Sequence, residues 1–83
     1  PGPTRKRLGF KEKHTLEVLP GRIAALQREL ESLDQSLSDP EFYSRDPGAF
    51  NSSAERRDAA QHELRAAEEE WLALEILREE AEH

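Results

Sequence analysis

The sequence predicts an all-α fold: a two-helix antiparallel coiled-coil hairpin, with the first helix kinked or broken near Pro20. Three observations carry this expectation. An a/d heptad runs without a skip through the first half, a looser one runs through the second, and a short segment with two helix-start signals separates them. The residue usage agrees, because Ala, Glu, Leu, Arg and Lys dominate the chain and these are helix formers. Charged residues make up 36% of the 83 residues and aromatic ones only 6%. So short and charged a chain buries too little apolar surface for a rounded core, which favours an elongated fold.

Residues 1–9 read as a basic linker, and the first helix is expected over about 11–37 of a hairpin spanning 10–81. Its seam is Leu16, Leu19, Ile23, Leu26, Leu30, Leu33 and Leu37, spaced alternately three and four apart. Between them lie Arg22, Gln27, Arg28, Glu29, Glu31, Asp34 and Gln35, as a solvated face requires. Pro20-Gly21 interrupts this helix chemistry, since an interior proline costs about 3 kcal/mol and a glycine about 1 kcal/mol. The seam nonetheless keeps its phase across the pair, so a kink, or a new helix starting at Pro20, is expected there.

The loop is expected over 38–47. It contains Asp-Pro twice, at Asp39-Pro40 and Asp46-Pro47, and Asp at the cap with Pro at the first helical position is a favoured helix start. Asp39-Pro40 would open a short turn and Asp46-Pro47 the second long helix, expected over about 48–81. Ser52-Ser53-Ala54-Glu55 also fits a capping box and offers a later start.

The second seam runs Phe50, Ser53, Arg57, Ala60, Leu64, Ala67, Trp71, Leu74, Arg78 and Ala81. Its small residues would let the helix axes approach, and its arginines would cover the seam with their stems while their heads reach water. Folding about Tyr43-Ser44 pairs Leu37 with Phe50, Leu30 with Arg57, Ile23 with Leu64 and Leu16 with Trp71. Phe10 is then expected near Leu74 or Leu77. So narrow a seam leaves a small margin over conformational entropy, so a homodimer or four-helix assembly is also open.

Several chemistries are missing. The chain has no cysteine, which excludes disulfides, thiolate metal sites and a cysteine nucleophile. Its four glycines are scattered singly, so there is no phosphate-binding loop. His14, His62 and His83 are not at metal-ligand spacing, and consecutive Glu68, Glu69 and Glu70 point in different directions on a helix. No catalytic, cofactor or metal residue is expected, and no apolar run nears the roughly 20 residues that span a bilayer. The fragment does not read as an enzyme.

Charge is unevenly placed within a net −6. Six basic residues stand against Glu12 and Glu17 up to Arg22, while eight acidic ones stand against Arg65 and Arg78 from Glu63 onward. Either the two ends neutralise each other, or the basic end binds phosphates. The candidate nucleic-acid contacts are Arg5, Lys6 and Arg7 in the arm, then Lys11, Lys13, Arg22 and Arg28. At the tip, Phe42 and Tyr43 with Arg45 could stack on bases or simply plug the end of the hairpin.

Leu8-Gly9-Phe10-Lys11-Glu12, followed by Leu16-Glu17-Val18-Leu19-Pro20-Gly21-Arg22-Ile23, resembles the opening of the C-terminal domain of Uup-type ABC-F proteins. Leu37-Ser38-Asp39-Pro40-Glu41-Phe42-Tyr43 and Trp71-Leu72-Ala73-Leu74-Glu75 match that family's loop and late tryptophan motif. The likeness covers about residues 7–77. Gly9 and Phe10 stand where the family often has Ser and Tyr, and Gly21 after the proline is a further departure. The resemblance implies the non-catalytic tail of a cytoplasmic ATPase with two ATP-binding cassettes, which would hold ATP and magnesium outside this chain. It implies an antiparallel coiled coil that contributes contact with DNA or ribosomal RNA. The other reading is an arm that positions the cassettes, or binds protein, without touching nucleic acid.

Overall fold

A computed structural model describes residues 8–82. The arm residues Arg5, Lys6 and Arg7, with most of the expected linker, lie outside the described residues, as does His83. Three helices follow in order: α1 (Phe10–Leu37), α2 (Phe42–Arg45) and α3 (Pro47–Glu82). α1 and α3 pack side by side as a hairpin, α2 closes its tip, and the molecule measures 67 × 16 × 16 Å.

α1 begins where the backbone N–H of Gly9 donates to the Glu12 carboxylate at 2.6 Å, which satisfies one of the donors a helix start leaves open. It then runs through Pro20 as one helix. No second helix starts there, because Leu19 and Ile23 pack into the seam on either side of the proline and hold the helix in phase. The proline has no N–H and cannot give the Leu16 carbonyl its helical bond. α1 ends as the N–H of Ser38 donates to the Asp34 carbonyl at 3.0 Å and its hydroxyl to Gln35 at 2.9 Å.

Both Asp-Pro steps act in the connection. The Asp39 carboxylate accepts the Glu41 N–H at 3.0 Å, turning the chain into α2. The Asp46 carboxylate accepts the Ala49 N–H at 3.0 Å, so Asp46 caps α3 and Pro47 fills its first position. Ser52–Glu55 lies inside α3 and starts nothing. Asp46→Ala should therefore cost about 1 kcal/mol. A thermal melt of the variant that overlays the wild type would sink the capping assignment.

The seam divides into two clusters. Leu26, Leu30, Ala60 and Leu64 form the one nearer the tip, and Leu19, Ala67 and Leu74 the one nearer the open end. Ile23 packs against both, and Leu16, Trp71 and Leu77 flank the second. Ala60 is 0% exposed and Ala67 5%. These alanines carry only a methyl group and do not hold the axes apart, which brings α1 close enough to seal the leucines opposite.

Phe10 corrects one expectation. It is 91% exposed rather than packed near Leu74 or Leu77, and Leu8 packs there instead. Each residue turns a helix by about 100°, so Phe10, nine residues before Leu19, projects about 180° away from the seam.

Candidate nucleic-acid interface

The candidate cations do not share one face. Lys11 and Arg22 are eleven residues apart and point within about 20° of each other. Lys13 is turned about 200° from Lys11, and Arg28 about 240° from Arg22. All four are exposed. What separates them is the company each keeps.

Arg22 belongs to a chain of ion pairs along one flank of the hairpin. Its guanidinium donates to Glu63 at 3.1 Å, and the other Glu63 oxygen accepts from Arg56 at 2.9 Å. Arg56 then grips Glu29 with two bonds of 2.6 Å, the forked geometry in which guanidinium and carboxylate fit best. The hydrogen bond from Arg56 holds the Glu29 carboxyl below the usual carboxylate range. Glu29 first, and Glu63 next, push the Arg56 guanidinium above its ordinary value. Each of the four residues sits one position before a seam residue, which is where interhelical pairs form.

The arginines at seam positions are likewise occupied. Arg57 pairs with Asp34, and Arg78 with Glu75 and Glu82 on its own helix. Donating hydrogen bonds to Asp34 and to Glu75, respectively, raises the Arg57 and Arg78 guanidinium groups above the ordinary arginine value. These pairs are solvent-exposed and salt-screened, so each contributes little to stability. Their effect on ligands is larger, since a phosphate must compete with a carboxylate already in place.

Among the described residues, Lys11, Lys13, Arg28 and Arg65 make no ion pair. Lys11 and Lys13 stand in the first turn of α1, four and six residues after Arg7 of the Arg5-Lys6-Arg7 run. Arg28 stands alone at mid-shaft. At the tip, Phe42 and Tyr43 both meet Phe50 edge-on, at centroid distances of 5.6 and 5.3 Å, and Arg45 lies 5.8 Å over the Phe42 ring. Their rings are engaged with one another, which plugs the end of the seam.

The sequence did not single out Glu29, Arg56 or Glu63. Their positions beside the heptad were visible, but which charge meets which depends on the helix register. Among the described residues there is also no group of His, Asp or Glu that could hold a metal ion, and no helix long and apolar enough to cross a membrane.

A family model described as the ABC transporter C-terminal domain matches residues 7–75. The chain belongs to this family. No curated protein and no solved structure matches it. In this ABC transporter C-terminal domain the matched span takes in all of α1 and α2 and most of α3, so both clusters and the Arg22–Glu63–Arg56–Glu29 chain lie within it. The domain is an accessory part of an ABC protein, a family whose parent proteins are typically ATPases. The parent's ATP-binding cassettes are thus its partners by context.

Proposed function

We propose that this chain is the non-catalytic C-terminal arm of a Uup-type ABC-F ATPase and binds nucleic acid at the start of α1. The observation that carries this reading is the uneven pairing of its cations. Arg22, Arg56 and Arg57 on the shaft are held by carboxylates, whereas Lys11 and Lys13 make no ion pair among the described residues and follow Arg5, Lys6 and Arg7 closely in sequence; Arg28 and Arg65 are unpaired too but stand apart from that run. Lysines with no carboxylate partner can neutralise phosphates without first breaking a bond. Arg28 adds a contact only if the strand continues along the back of α1, and Arg22 must share itself with Glu63. ATP and magnesium would be bound by the parent's cassettes.

Fluorescence anisotropy with labelled duplex DNA, single strands and structured RNA, over a salt series, tests the proposal. Duplex affinity should fall with salt at a slope near −0.9 per phosphate contact. Lys11→Glu with Lys13→Glu should abolish binding, while Arg22→Glu should weaken it only slightly. A helical, folded sample that binds none of the three at low salt would leave the other reading, a structural arm that positions the cassettes. That reading draws on the 67 Å length of the hairpin and on the ion pairs that tie Arg22, Arg56 and Arg57 to the facing helix.

A further inference from the structure

Beside Pro20 the two long helices leave a groove of about 460 Å³, lined chiefly by Pro20, Ala24, Trp71 and Leu72 over Ile23. Leu72 is 55% exposed, and Ile76, one turn further along α3, is 48% exposed. The apolar surface therefore continues out of the groove along one side of α3. Apolar residues grouped in this way offer a concave surface on which a partner's apolar face can pack.

The charges around it say what. Glu17 and Glu31 stand seven residues either side of Ala24, on the same side of α1. Glu68 lines the groove, Glu69 stands three residues before Leu72, and Glu79 stands three residues after Ile76 on α3. None of these carboxylates makes an ion pair among the described residues, and the unpaired cations beside them are Arg28 and Arg65, with Lys13 a turn beyond Glu17. Carboxylates therefore outnumber cations around the groove by five to three, in a chain already at −6.

We propose that this groove is a docking site for an amphipathic helix of a protein partner, with lysine or arginine bordering its apolar stripe. The stripe would cover Trp71 and Leu72, and the cations would meet the carboxylates on either side. A second copy of the hairpin is the poorer occupant, because it would bring the same carboxylates against these. The site is separate from the first turn of α1 and does not depend on nucleic-acid binding there.

Trp71 is the only tryptophan, so its emission reports on the groove directly. The probe is a synthetic helical peptide with leucines along one face and lysines beside them, compared with the same peptide carrying glutamates. The lysine peptide should give a saturable blue shift that weakens with salt, and the glutamate peptide none. Leu72→Gln should weaken binding at least tenfold, with circular dichroism unchanged because the side chain is already half in water. Glu68→Gln combined with Glu79→Gln should weaken it and flatten its salt dependence, while Val18→Gln on the opposite flank should leave it unaltered. The proposal fails if the lysine peptide gives no saturable shift, if the glutamate peptide binds as well, or if Leu72→Gln binds like the wild type. It also fails if the free chain sediments as a dimer that Leu72→Gln converts to monomer, since a second copy would then be the occupant.

Discussion

Leu26→Ala is expected to leave most of the chain unfolded well below the wild-type melting temperature. Leu26 is 4% exposed and packs in the cluster with Leu30, Ala60 and Leu64. Removing a buried leucine side chain costs about 2–5 kcal/mol, the upper end applying where the surroundings cannot collapse into the space. Here they cannot collapse easily, because the residue across the seam is Ala60, whose methyl group cannot swing inward. A small single core supplies only about 3–5 kcal/mol in all, so the loss is comparable with the whole margin. A drop in melting temperature of roughly 10 °C or more follows at about 4–8 °C per kcal/mol for a domain of this size. Val18→Ala, at a site 49% exposed, should stay within about 0.5 kcal/mol. Thermal melts followed by far-ultraviolet circular dichroism decide it, and a Leu26→Ala melt within a few degrees of wild type would mean that the leucine seam is not what holds the hairpin.

The largest expected gain comes from Pro20→Ala. The proline stands in the middle of a 28-residue helix, on its exposed side. An interior proline costs about 3 kcal/mol through its missing N–H and its ring's clash with the preceding turn. Alanine restores a donor for the Leu16 carbonyl and removes the ring. Part of the gain is offset, because the unfolded chain is stiffer with proline, by about 1 kcal/mol at most, and because Pro20 contributes a wall of the groove at Trp71. A net stabilisation of about 1–2 kcal/mol remains, seen as a higher melting temperature. A lower one would show that Pro20 contributes more through its contacts than it costs the helix.

The heptads made the fold readable, since leucines at alternating three- and four-residue spacing have one good arrangement when a second such run follows a capped turn. Asp46-Pro47 was readable for the same local reason: capping needs only the residue and its next three neighbours. Phe10 was misplaced because hydrophobicity was extended past the heptad without checking its phase, and phase alone puts it on the far side. At Pro20 the local preference for a break competed with a seam that continued on both sides, and the packing of Leu19 and Ile23 prevailed. The ion pairs could not be read, because Glu29 and Arg56 are 27 residues apart in sequence and meet only once the register is fixed. The groove was hidden likewise, since Trp71 belongs to the seam by spacing and its openness depends on Pro20 and Ala24 from the other helix.

The chain of charges from Arg22 to Glu29 has a consequence for alignment. A heptad seam tolerates a slide of one repeat better than a slide of one residue, because seam positions again meet seam positions. The flanking charges are not indifferent. Sliding α3 seven residues one way puts Glu63 where Arg56 stands, against Glu29, and sliding it the other way puts Arg56 where Glu63 stands, against Arg22. Either error sets like charges face to face. Pairs that add little to the finished hairpin thus act as a vernier, marking one setting among several that the apolar seam alone would accept.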